Sequence, residues 1–174
     1  MKSTIKEWIK TIIISLVIAL VITTVVRPTL VKGYSMYPTI SENDYLLINK
    51  MSYVKDEPEH GDIIVFKTTL ADGNGHEKDL IKRVIATEGD TIEVLDGNVF
   101  LNDEKIEENY INGDYTPNNV KKKTIGEDHI FVMGDNRPNS LDSRDSRVGE
   151  VDTHNIKGKV LIRLFPFNKI GIVK

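Results

Sequence analysis

Cysteine is absent from the 174 residues. Its absence excludes disulfides, thiolate nucleophiles and cysteine-rich metal sites together. It leaves the compartment open, since a chain outside the cytosol need not carry a disulfide. No charge of one sign dominates either: charged residues make up 28% and the net charge is −3. That balance points to neither a nucleic-acid binder nor an acidic tail. After residue 30 the chain has no amphipathic helical stretch of twelve or more residues, and no internal repeat is present. The length fits one ordinary domain plus an appendage.

What is present begins with an uncharged run of sixteen residues, Thr11 to Val26, dominated by Leu, Ile and Val. As a helix it spans about 24 Å, a little under the roughly 30 Å of a bilayer core. Trp8 and Ile9 can extend it, while Lys10 and Arg27 can direct their charges outward. A cleaved signal peptide would carry an Ala-x-Ala-like site after the run, and none follows. A buried core helix would show a polar face, and this run has almost none. A retained membrane anchor is therefore the expectation. Lys2, Lys6 and Lys10 before the span, against Arg27 and Lys32 after it, lean slightly towards a cytoplasmic N-terminus.

Arg27-Pro28 ends the helix, because proline has no backbone donor and restricts the residue before it. Beyond it the pattern is β. Tyr45 to Ile48, Ile63 to Phe66, Leu80 to Ala86, Thr91 to Leu95, Val99 to Leu101, Ile130 to Met133 and Val160 to Leu164 are short apolar runs bounded by turn residues. Asp96-Gly97-Asn98 is a hairpin signal between two of them. Short strands without intervening helices predict a mainly β domain, an antiparallel sheet or partly open barrel, behind one N-terminal transmembrane helix. Leu70 to Asp79 reads as a polar loop. Residues 102–128 read as an inserted subdomain or long loop, with Lys121-Lys122-Lys123 as a solvated face.

Three clusters could carry chemistry: Gly33-Tyr34-Ser35-Met36-Tyr37-Pro38-Thr39, then Lys82 to Asp90, then Gly134 to Gly149. A serine hydroxyl is a poor nucleophile until a base takes its proton. Ser35 sits in a segment bounded by glycine and proline, where a sharp turn could present it, yet alone it is one turn serine among many. Lys82 shares a strand face with Leu80, Val84 and Ala86. Desolvation there lowers a lysine's pKa. To act as a neutral base near pH 7 it must fall about three units from roughly 10.4, about 4 kcal/mol. Adjacent Arg83 could push the same way. Alone, Lys82 reads as a strand lysine reaching solvent. In the third cluster Asp135, Asn136, Arg137, Asp142, Arg144, Asp145 and Arg147 form a dense charge network. Its arginines and Pro138 spoil a calcium loop, and no helices flank it.

Read in order, the clusters are an anchor, G-x-S-M-x-P-T, K-R-V-I-x-x-x-G-D and G-D-N-R-x-x-S-x-D-S-R-x-x-x-G. That order resembles the type I signal peptidases, in their small single-anchor bacterial form, nearly end to end. The resemblance implies a membrane-bound Ser–Lys endopeptidase that cleaves signal peptides from exported preproteins. It implies Ser35 as nucleophile, Lys82 as general base and Ser140 as a hydroxyl positioning the lysine amine. Arg83, Asp135, Asp142 and Arg144 would hold the site together. Met36 would line the binding cleft, and Tyr45, Leu46, Leu47 and Ile48 would form the strand along it. No metal or cofactor is implied. The partners are preproteins and the lipid bilayer, with no nucleic acid; the oligomeric state stays open. The implied layout is a cytoplasmic tail over 1–10, an anchor over 11–27 in the cell membrane and an extracytoplasmic catalytic domain over 28–174.

The chain departs from the family in two places. Some members carry a serine two residues before the nucleophile to complete the oxyanion hole. Here Gly33 stands there, so a backbone amide takes the role alongside that of Ser35. The usual Gly-Leu-Pro-Gly-Asp after the lysine is Ala86-Thr87-Glu88-Gly89-Asp90. Among the rivals, a Ser–His–Asp hydrolase would need His60, His76, His129 or His154, none in a recognisable catalytic context. The self-cleaving repressor proteases share Ser–Lys chemistry and a related fold, but they lack an anchor and carry a DNA-binding segment. Retention of both Ser35 and Lys82 argues against an inactive membrane-anchored binding module.

Overall fold

The computed structural model describes residues 2–71, 75 and 77–174. Met1, Asp72, Gly73, Asn74 and His76 lie outside the described residues, and with them the centre of the predicted Leu70–Asp79 loop and one candidate histidine. Helix α1 (Lys2–Val25) starts well before Thr11 and stops short of Arg27. Its stretch Thr4–Val25, 22 residues with a mean hydropathy of 2.3, buries nothing against the rest of the protein and is long and apolar enough to cross a membrane. At 1.5 Å per residue it covers about 33 Å, closer to a bilayer core than the shorter predicted run.

Pro28 stops α1, but the chain goes directly into strand β1 (Val26–Leu30) rather than a loop. β1 forms the edge of its sheet, where a proline costs no ladder hydrogen bond. The other strands are β2 (Tyr45–Asn49), β3 (Ile63–Ala71), β4 (Glu77–Ala86), β5 (Thr91–Leu95), β6 (Asn98–Leu101), β7 (Glu104–Lys105), β8 (Val120–Thr124), β9 (His129–Met133), β10 (Val151–Asp152), β11 (Ile156–Phe165) and β12 (Gly171–Ile172). They build an eight-stranded sheet in the order β1-β2-β11-β3-β4-β9-β10, with β12 on β11, and a four-stranded sheet in the order β7-β6-β5-β8. Every pairing is antiparallel.

The fold is the predicted mainly β architecture of antiparallel sheets behind one apolar helix. Asp96 and Gly97 turn β5 into β6 with φ of 49° and 83°, the paired positive values a tight two-residue hairpin needs. Residues 102–128 are neither all loop nor a separate body: β7 and β8 within them complete the second sheet. The core beneath the site comes from Val31, Met36, Ile40, Leu46, Ile48, Ile63, Val65 and Val160. Burial of each such side chain is worth about 1.5–3 kcal/mol. A second cluster of Ile85, Ala86, Ile92, Val94, Val99, Ile125, Phe131 and Met133 ties the two sheets together.

Candidate active site

Ser35 lies in the segment between β1 and β2, and contacts on both sides hold that segment. Val31 N–H donates to Asp44 O at 2.9 Å and Asn43 N–H to Val31 O at 3.0 Å. Met36, 2% exposed, sinks into the core directly after the serine. From across the site, Asn136 N–H donates to Ser35 O at 3.0 Å and Asn136 Nδ2 to Tyr34 O at 3.0 Å. This approach needs a glycine at 134, where a Cβ would overlap both Ser35 O and Ser140 Oγ. The glycine that opens the third motif is thus a close-packing residue.

Strand β4 presents Lys82 opposite Ile64 of β3. The lysine is 1% exposed, and its Nζ donates to Ser35 Oγ at 2.7 Å and to Ile81 O at 2.9 Å. Burial is the largest influence on the amine and lowers its pKa from 10.5 to about 8. Asp142 and Asp135 oppose that fall, while Lys78 and Arg144 assist it. Burial acts in the expected direction, but Arg83 is not among the cations that assist it. Arg83 spends its charge on Asp135, with Nε–Oδ1 at 2.9 Å and Nη2–Oδ2 at 2.8 Å, and it stacks on the Tyr110 ring at 4.0 Å.

The third cluster folds into two further buried pairs. Arg144 grips Asp142 through Nε and Nη2, both at 2.8 Å, and reaches Pro117 O and Arg137 O. Asp142 Oδ2 in turn accepts Gly134 N–H at 3.0 Å, so this carboxylate fixes the strand end that packs on Ser35. Arg137 Nη1 donates to Glu108 Oε2 at 2.8 Å and Thr116 Oγ1 at 2.7 Å. Sequence reasoning placed Arg137 in the cluster but missed Glu108, a nondescript acid within residues 102–128. Asn136, also left without a role, is the residue that clamps Ser35.

A cleft of about 550 Å³ opens beside Ser35 and Lys82, with Leu30, Val31, Met36, Ile48 and Ile81 among its apolar walls. β9 joins β4 only from Arg83 onward, so among the described residues no strand pairs with the Glu77–Lys82 edge of β4 on that side. The outer edge of β1 is likewise unpaired among the described residues. Two strand edges thus flank the cleft. The expected cleft strand is placed differently. β2 is paired on both edges, by β1 and β11, and of Tyr45, Leu46, Leu47 and Ile48 only Ile48 lines the cleft. Leu46 is fully buried in the core and Tyr45 is exposed.

Two more expectations need correction. Ser140 Oγ is buried without a hydrogen-bond partner among the described residues, so it does not hold the Lys82 amine here; it packs against Gly134 instead. The Gly33 N–H donates to Glu42 Oε1 at 3.2 Å, which takes it from the expected oxyanion role. The Ser35 N–H has no acceptor among the described residues and is the donor left for that task. The described histidines are engaged elsewhere: His60 with Asp90, His129 with Glu127 O and His154 with Asp152.

The sequence matches a family model described as signal peptidase, peptidase S26, over residues 5–165. Similar proteins include signal peptidase I of Leptolyngbya laminosa, 40% identical over 97% of this chain and 84% of that protein. Signal peptidase I P of Bacillus subtilis subsp. natto is 35% identical over 99% of this chain and 96% of its own. Signal peptidase IB of Staphylococcus aureus (strain COL) is 34% identical over 97% and 94%.

Proposed function

The chain belongs to the signal peptidase family, peptidase S26, and we propose that Ser35 is its nucleophile and Lys82 its general base. It is a membrane-bound serine endopeptidase that removes N-terminal signal peptides from preproteins. The observation that carries the residue assignment is the 2.7 Å contact between Ser35 Oγ and a desolvated Lys82 amine.

Neutral Lys82 takes the Ser35 proton as Oγ attacks the scissile carbonyl, and the Ser35 N–H faces the developing oxyanion. The lysine then gives that proton to the leaving amine, and the peptide is held as an ester on Ser35. A water that loses its proton to Lys82 hydrolyses the ester and frees the serine. Asp135, Asp142, Arg83 and Arg144 keep the two walls of the site in register rather than react. An extended peptide would lie between the β1 and β4 edges, adding a strand, with Met36 and Ile48 shaping the pockets for its side chains.

The cleft wall begins at Arg27, two residues after α1 ends. The nucleophile therefore sits close to the bilayer, where the apolar segment of a preprotein also lies. We place the N-terminus in the cytoplasm, α1 across the cell membrane and the domain after residue 27 on its outer side. Full-length protein in detergent, incubated with a preprotein, should release the mature form, and Ser35→Ala should not. Intact preprotein with the wild-type chain contradicts the proposal.

A further inference from the structure

Past Ser35, away from the cleft that begins at Arg27, lies a second cavity of about 580 Å³. Tyr34 and Asn139 border both cavities, so the two meet at the nucleophile. The first starts beside the membrane helix, with Leu30, Val31, Met36, Ile48 and Ile81 among its walls. It suits the segment upstream of the scissile bond. A peptide continuing through the site would enter the second, which Tyr37, Ser41, Glu42, Asn43 and Asn136 complete.

Glu42 is the one ionised group in that lining. Its turn is fixed, because buried Asp44 accepts Ser41 N–H at 2.9 Å and pairs with Arg163 Nε at 2.8 Å. Asn43 of the same turn is laddered to Val31. Glu42 itself accepts the Gly33 N–H at 3.2 Å, the Tyr34 hydroxyl beside it helps hold its carboxyl below the usual range, and no lysine or arginine among the described residues ion-pairs with it. A negative charge is thus held without a counter-charge where the departing part of the substrate would lie.

We propose that this cavity receives the first residues on the leaving side of the scissile bond, and that Glu42 makes a basic side chain there preferable to an acidic one. The inference rests on Ser35 being the nucleophile. It concerns which preproteins are cleaved faster, since discrimination between substrates is a ratio of kcat/KM values.

The test uses the full chain in neutral detergent and peptides identical up to the scissile bond. They carry Lys, Ala or Glu at each of the first three leaving-side positions in turn. At one position or more the wild type should cleave the Lys peptide about two- to five-fold better than the Glu peptide, the range of an exposed ion pair. The ratio should fall towards one in 0.5 M salt and in Glu42→Gln, and invert in Glu42→Lys. Equal cleavage of all peptides by the wild type overturns the inference. So does a preference that Glu42→Gln leaves intact, or a variant that slows every peptide equally, which would make Glu42 only a brace for Gly33 and Tyr34. Cleavage of the Ala peptides by wild type, and its loss in Ser35→Ala, reports separately on the nucleophile.

Discussion

Replacing Lys82 by methionine should destroy activity and yet stabilise the protein at neutral and acidic pH. The lysine is 1% exposed, and its pKa falls from 10.5 to about 8. At 1.36 kcal/mol per pH unit, carrying the charged amine costs the folded state roughly 3 kcal/mol below pH 8. The sign follows from proton binding. Between about 8 and 10.5 the unfolded chain holds the proton that the folded chain has lost, so wild-type stability rises with pH through that window. Methionine removes the term and fills most of the space. It also strips a donor from Ser35 Oγ and Ile81 O, at about 1 kcal/mol each. The net gain at pH 6 is about 1–2 kcal/mol, and relative to wild type it should shrink by about 2 kcal/mol at pH 9.5. Denaturant unfolding of both full-length proteins in detergent, at the two pH values, measures the difference. An equal ΔΔG at both would refute the reasoning, because the amine would then be no harder to charge in the folded state than in the unfolded one.

Asp142→Ala should cost about 3–5 kcal/mol by stranding Arg144, and calorimetry should show a melting temperature lower by about 6–15 °C; an unchanged melting temperature with lost activity would assign Asp142 a direct role. Asp142→Asn should move the acid limb of the pH–activity profile down, since the carboxylate is the strongest influence raising the Lys82 pKa; an upward shift would contradict that. Glu108→Ala should cost a similar amount by leaving Arg137, whose side chain is fully buried, unpaired. If urea unfolding shows a loss under about 1 kcal/mol, the pair is not structural. Protease added outside intact protoplasts should digest the chain after residue 30, and complete protection would reverse the proposed topology.

Strands buried on a face were legible in the sequence, because their apolar runs survive translation into structure: Ile63 to Phe66 and Leu80 to Ala86 are such cases. Lys82 stood out for the same reason, as a charge inside an apolar run. What stayed hidden was paired or placed by distant partners. β1 is an edge strand with a largely exposed pattern and a proline, so its letters look like the end of a helix. β8 carries three lysines, yet Lys123 lies over the Phe131 ring at 5.1 Å while Lys122 reaches Asp103; neither contact is visible locally. β11 runs on to ten residues through irregular pairing near Gly158. Its early residues, Ile156-Lys157-Gly158-Lys159, carry two lysines and a glycine in place of an apolar run, so they do not stand out as a strand. The link from Arg137 to Glu108 spans 29 residues, and no periodicity connects them. Motif order identified the nucleophile and base as candidates, whereas Asn136 as a clamp, Ser140 without a partner and the Gly33 amide spent on Glu42 depend on side-chain direction.

The pH dependence of kcat/KM for preprotein cleavage tests most directly whether Lys82 activates Ser35. In wild type, activity should rise with pH through an apparent pKa near 8, the value burial imposes on the amine. That limb should persist when His60, His76, His129 and His154 are each changed to Gln, and Lys82→Ala should show no turnover at any pH. Loss of the limb in one histidine variant, with Lys82→Ala still active, would move the base to that histidine and contradict the account.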